Sequence, residues 1–214
     1  MTDWETISSL ATAGGTLVLA VATFSSVRSA NRTARAAERS LMVGLRPVLI
    51  PSHEDDQVER ANFGDGHRIT IPGHGGVLEV TNGRVYLGLG LRNAGAGLAV
   101  LHGWHAQVYE PGTRHVLPDT DTFRRQQLDI YIPAGGGGFW QGAIRDQADE
   151  PHAALCAAAG AGQRIIVDLL YGDHEGGQRA IARFSLVVTD DGLGRFANVI
   201  RYWNLDYEDP RERE

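Results

Sequence analysis

The sequence predicts a mainly β chain: an N-terminal transmembrane helix that runs on into a juxtamembrane helix, then an antiparallel β-sandwich domain of immunoglobulin-like type. Three observations carry this. Residues 7–27 are 21 consecutive uncharged residues, twelve of them apolar. Arginines then recur every three or four residues, at Arg28, Arg32, Arg35 and Arg39. Beyond Arg46 the chain is a series of short β-type runs punctuated by glycine, with no repeated strand–helix alternation.

As a helix rising 1.5 Å per residue, residues 7–27 would span roughly 31 Å, against about 30 Å for a bilayer core. A soluble alternative keeps this helix buried inside an oligomer. Asp3 and Glu5 precede the apolar run and the four arginines follow it, the reverse of a cleaved signal peptide. The positive-inside rule then places the arginine flank in the cytoplasm. The expectation is a single-pass protein of the plasma membrane: residues 1–6 as a short tail outside, with Trp4 at the interface, and the soluble body inside.

Residues 28–43 read as the juxtamembrane helix. Arg28, Arg32, Arg35 and Arg39 fall within about 60° of one another on a helical wheel and suit anionic lipid headgroups. Val27, Ala30, Ala34, Ala37 and Leu41 follow the complementary spacing on the opposite face. That face suits a protein partner, a second copy, or the protein's own body, with Ala11 and Gly15 offering a small-residue contact within the bilayer. Gly44 and Pro47 are the stop signals.

Residues 44–207 form the predicted sandwich, and 208–214 a charged tail. "RPVLIP", "HRITI", "VLEVTN", "RVYLGLGL", "HGWHAQVYEP", "LDIYIP", "RIIVDLLYG", "RAIARFSLVV" and "FANVIRYWNL" are the candidate strands. In "RVYLGLGL", Val85, Leu87, Leu89 and Leu91 alternate with Tyr86, Gly88, Gly90 and Arg92, which demands one buried face. A glycine-rich link in "LRNAGAGLAVLHGW" joins two strands. "RIIVDLLYGDHEGGQRAIARFSLVV" reads as a hairpin closed by Gly176 and Gly177. One short helix is expected at 152–159.

Composition narrows the function classes. The single cysteine, Cys156, excludes an internal disulfide and, with no basic partner evident beside it, reads as a small buried residue. All twenty basic residues are arginine, and the net charge is -6. From Val43 onward sixteen arginines face twenty-three acids, a balance that argues against nucleic acid as a partner.

No assembled catalytic set or cofactor motif is evident. "PAGGGGFWQG" lacks the GK[ST] ending of a phosphate-cradling loop and reads as a flexible loop ahead of a strand, with Phe139 and Trp140 packing inward. His102 and His105, three apart, fall on opposite faces of a regular strand. "HEDDQVE" is an acidic loop. Asp173, His174 and Glu175 stand together at the predicted hairpin tip, the one place where a metal, ligand or hydrolytic site is suggested, with Arg92 at its rim; turn chemistry accounts for the same residues.

Taken together, "SVRSANRTARAAERSLMVGLRPVLIPS", "LRNAGAGLAVLHGW", "YGDHEGGQR" and "RYWNLDYEDPRE" resemble uncharacterised actinobacterial single-pass membrane-anchored proteins. The resemblance implies an anchor and a soluble body and supplies no catalytic residue. The functional expectation is a non-enzymatic interaction or accessory module tethered at the cytoplasmic face, in contact with membrane lipids and with a protein partner or a second copy.

Overall fold

The computed structural model describes residues 4–189 and 194–207. The chain divides into two compact units, 1–43 and 44–214. The predicted charged tail, 208–214, and residues 1–3 lie outside the described residues.

A single helix, α1 (Trp4–Gly44), occupies the first unit and runs unbroken through both predicted helical segments. It therefore includes residues 4–6, which the sequence assigns to a tail. From Ser8 to Met42 it is long and apolar enough to cross a membrane. Several of its hydroxyls bond to its own backbone: Thr12 donates to the Ser8 carbonyl and Thr16 to the Thr12 carbonyl, both at 2.8 Å, and Ser25 donates to the Ala22 carbonyl at 2.8 Å. Such back-bonding lets Ser and Thr sit in an apolar segment without presenting unpaired polar atoms.

The second unit is mainly β. Its elements in chain order are β1 (Leu49–Pro51), β2 (Glu59–Asn62), β3 (Arg68–Ile71), β4 (Gly75–Thr81), β5 (Arg84–Asn93), β6 (Ala99–Val108), β7 (Arg124–Arg125), β8 (Tyr131–Ile132), β9 (Gly137–Ile144), α2 (Glu150–Gly160), β10 (Ile165–Gly172), β11 (Ala180–Val188) and β12 (Arg195–Asn204). All nine predicted strands are present. β2 and β7 are additional, and β9, the strand expected after the glycine-rich loop, already begins within the glycines at Gly137 and pairs along the length of β5.

Ten strands form one antiparallel sheet in the order β1-β5-β4-β12-β11-β10-β6-β7, with β9 also on β5 and β8 also on β6. The first arm is β9, β5, β4 and β1; the second is β12, β11, β10 and β6 with β7 and β8. Among the described residues their strand pairing is confined to Arg195 and Phe196 of β12 opposite Gly76 and Gly75 of β4. The main core lies between the arms: Val85, Leu87, Leu89 and Leu91 from β5, Trp140 from β9, and Val167, Leu169, Phe184 and Leu186 from β10 and β11, all buried. Each such side chain contributes about 1.5–3 kcal/mol on burial.

β2 and β3 pair as a separate hairpin that covers the outer side of the first arm. Ala61, Phe63, Ile69 and Ile71 pack there around Tyr86. β5 is consequently buried on both faces, where its alternation predicts one.

The glycine-rich link after β5 is explained by the segment that crosses it. A Cβ on Gly97 would overlap the Leu45 carbonyl, and one on Gly95 would overlap that of Arg46. Asn93, fully buried, accepts from the backbone N–H of Val48 and Gly95 and donates to the carbonyls of Gly97 and Ile132. It thereby ties the start of the body to both arms.

Candidate functional site

The hairpin tip that the sequence singles out is a built turn. Asp173 is 1% exposed, and its carboxylate accepts from the Gly177 N–H at 2.9 Å and from Gln178 Nε2 at 3.3 Å. Gly176 supplies the positive φ, at 75°. His174 and Glu175 point into solvent, paired with each other at 3.2 Å. Arg92 is engaged elsewhere, with Asp56 at 3.5 Å. Asp173 thus faces inward to close the loop while its two neighbours face outward, so the three do not converge. Among the described residues no group of three His, Cys, Asp or Glu is placed to hold a metal ion. In the acidic loop, Asp56 accepts from the His53 N–H at 2.7 Å.

Two expectations about histidine are corrected by geometry. A β-bulge in β6 skips His102, between Gly103 opposite Leu170 and Leu101 opposite Tyr171. Leu101 and Trp104, also three apart, consequently both reach the core, and His102 and His105 share the outer side. Burial lowers the pKa of both rings. For His102 the Arg179 charge adds to this while Asp173 opposes it; for His105, Asp168 opposes and Arg183 adds. Cys156 does have a basic neighbour: His152, one turn earlier on α2, brings its ring nitrogens to 3.8 and 3.9 Å from the sulfur. His152 Nε2 is bonded to the Gly83 carbonyl at 2.8 Å, which makes the ring a clamp between α2 and the β4–β5 turn.

On α1, Arg28, Arg32, Arg35 and Arg39 are exposed, as are Val27, Ala30, Ala34, Ala37 and Leu41 on the complementary face; Val27 is 53% and Leu41 65% exposed. The side chains of Trp4 and Ala11 lie outside the described set.

The sequence reading misses a recess of the body, a cavity of about 580 Å³. It lies at the seam where the free edge of β9 faces the segment 124–128, roofed by residues 63–65 of the β2–β3 turn. Gln126 staples the seam: its Oε1 accepts from Trp140 Nε1 at 3.2 Å, and its Nε2 reaches the Gln141 carbonyl at 3.5 Å. The floor carries Trp104, edge-on to Trp140 with centroids 5.3 Å apart. A side chain at Gly142 would strike both indoles, its Cβ meeting Trp140 at 2.7 Å and Trp104 at 2.9 Å.

Arg124, Arg125 and Arg145 line this recess with Asp65. One oxygen of Asp65 accepts from Tyr86 Oη at 2.8 Å, Arg145 Nε at 3.1 Å and Arg84 Nη1 at 3.2 Å. These donors, Tyr86 foremost, hold its carboxyl well below the ordinary range against the opposing effect of burial. Arg124 bonds Asp149 at 3.0 Å and lies over the Trp104 ring at 5.6 Å. Asp149, at the N-cap of α2, makes no side-chain capping bond. Arg125 is exposed, and among the described residues no carboxylate pairs with it. Four guanidinium groups thus stand around two carboxylates, a local excess of positive charge on an acidic body. Only the Arg124–Arg125 doublet is visible in sequence; Asp65 and Arg145 join it through the fold. The chain matches no protein-family model, no curated protein and no solved structure.

Proposed function

We propose that this protein is a membrane-tethered interaction or accessory module whose β body works at the cytoplasmic face of the plasma membrane. The single observation that carries this reading is α1: an uncharged stretch of bilayer length, acids before it, four arginines after it, and Ser and Thr hydroxyls bonded to its own backbone. Arg28, Arg32, Arg35 and Arg39 meet anionic headgroups, each contributing about 1 kcal/mol. Val27, Ala30, Ala34, Ala37 and Leu41 form the face for a protein partner, either a second copy or another chain.

The body in this reading is an immunoglobulin-like β-sandwich. What supports it is the antiparallel pairing throughout, the two-residue width of the β4–β12 junction, and a core contributed by both arms. Binding rather than catalysis is favoured by the hairpin tip, where Asp173 is consumed by the turn and His174 and Glu175 face solvent.

Alkaline carbonate extraction of membranes tests the tether. The protein should stay in the pellet until detergent is added; quantitative release by carbonate alone would refute the reading. Crosslinking through cysteines placed at Ala30 and Ala34 then tests the partner face, with disulfide-linked species expected from these positions and not from cysteines at Arg32 or Arg35.

A further inference from the structure

We propose that the recess at the β9 seam binds a small organic oxyanion, a carboxylate or phosphate group carried on a compact apolar body, with Arg125 as its principal donor. The cavity, about 580 Å³, falls within the size range of small-molecule sites. Its lining combines guanidinium groups with Phe63, Trp104 and Leu128. That pairing fits a ligand with one charged end and one apolar end.

The hydrogen-bond accounting explains why the charged end is an anion. Asp65 receives three donors on one oxygen, and its other oxygen accepts the His67 N–H at 3.3 Å. It is saturated, so Arg145, bonded to it through Nε, retains its terminal N–H groups for a ligand. Arg124 is anchored by Asp149 and by its contact with Trp104, which fixes its orientation at the recess wall. Arg125 supplies a whole guanidinium. Arg84, Arg124, Arg125 and Arg145 against the two committed carboxylates Asp65 and Asp149 leave positive charge uncompensated until an oxyanion enters, and the planar fork of arginine matches carboxylate and phosphate oxygens alike.

The geometry also shows why the recess persists as a cavity. β9 ends the first arm and β7 the second, and the Gln126 side chain, not a backbone ladder, spans the gap. Gly142 keeps the floor low enough for the two indoles to pack beneath it.

The test uses the full chain in a neutral detergent, titrated with phenyl phosphate and with benzoate while tryptophan fluorescence is recorded, since Trp104 lines the recess. A saturable change is expected with at least one probe, and the tighter of the two identifies the preferred oxyanion. Arg125→Ala should weaken that binding about tenfold, the effect of losing one charge-assisted contact. Arg114→Ala, an exposed arginine away from the recess, should leave it unchanged. Benzyl alcohol, which keeps the ring and lacks the charge, should produce no saturable change. The proposal is overturned if neither probe saturates below about 10 mM, if Arg125→Ala binds like the parent chain, if Arg114→Ala loses as much, or if benzyl alcohol binds as well.

Discussion

Asn93 shows how much one residue holds in this body. Its side chain makes four hydrogen bonds from a fully buried position, to groups 2, 4, 39 and 45 residues away. Asn93→Ala would orphan several buried backbone groups and should cost about 3 kcal/mol in chemical denaturation, with the midpoint shifted and the slope unchanged. Asp173 acts locally by comparison. Asp173→Ala should cost about 1–2 kcal/mol, whereas Asp173→Asn, which can still accept from Gly177, should lose less than half of that. A metal ligand would instead lose bound metal in both variants. The role of Asp173 was half legible: the turn letters were plain, its inward direction was not. Asn93 carried no local signal, because the partners that make it indispensable come from distant segments.

At the scale of elements, β10 and β11 share the most exacting contact in the fold. Asp168 and Arg183, opposite each other in register, form a bidentate pair at 2.7 Å with the carboxylate fully buried, and Arg183 lies over Trp203 at 5.0 Å. Asp168→Ala should destabilise by about 3–5 kcal/mol, while the double change Asp168→Leu with Arg183→Met should recover most of the loss. Both residues were visible within predicted strands, but a period-two pattern does not say that the outer side is buried too.

β6 carries a pH dependence. Burial lowers the pKa of His102 and His105 below the unfolded value of about 6.5. The unfolded chain therefore binds more protons, and stability is full above that value and falls as pH drops through it toward the lowered folded values. The charges facing His105 are Asp168, Arg183, Arg124 and Glu150. Thermal melts between about pH 7 and 5.5 should be less pH-dependent in His102→Gln/His105→Gln than in the parent chain. Sequence alone put these rings on opposite faces because a bulge is invisible to simple alternation. The start of β9 was hidden for a related reason: the strand begins at Gly137, inside a run of four glycines, and its register is set by β5.

For the molecule as a whole, the mainly β character and all nine expected strands were legible, since short alternating runs and turn residues are local properties. The continuity of the sheet was not. It depends on a two-residue junction between β4 and β12, strands more than a hundred residues apart, and no pattern in either announces it. The arginine recess was hidden by the same physics, assembling residues from 65, 124–125 and 145 across the seam between two edges. The long helix, by contrast, was readable nearly residue by residue, because apolar length and charge order are one-dimensional facts.

Topology is the claim on which the functional account stands, and paired fusions at Glu214 test it most directly. A fluorescent protein that matures only in the cytoplasm should be bright when joined there, and an alkaline phosphatase active only after export should be silent. Replacing Arg28, Arg32, Arg35 and Arg39 with alanine should erode that bias. A dark fluorescent fusion together with an active phosphatase fusion would put the body outside the cell and contradict the account.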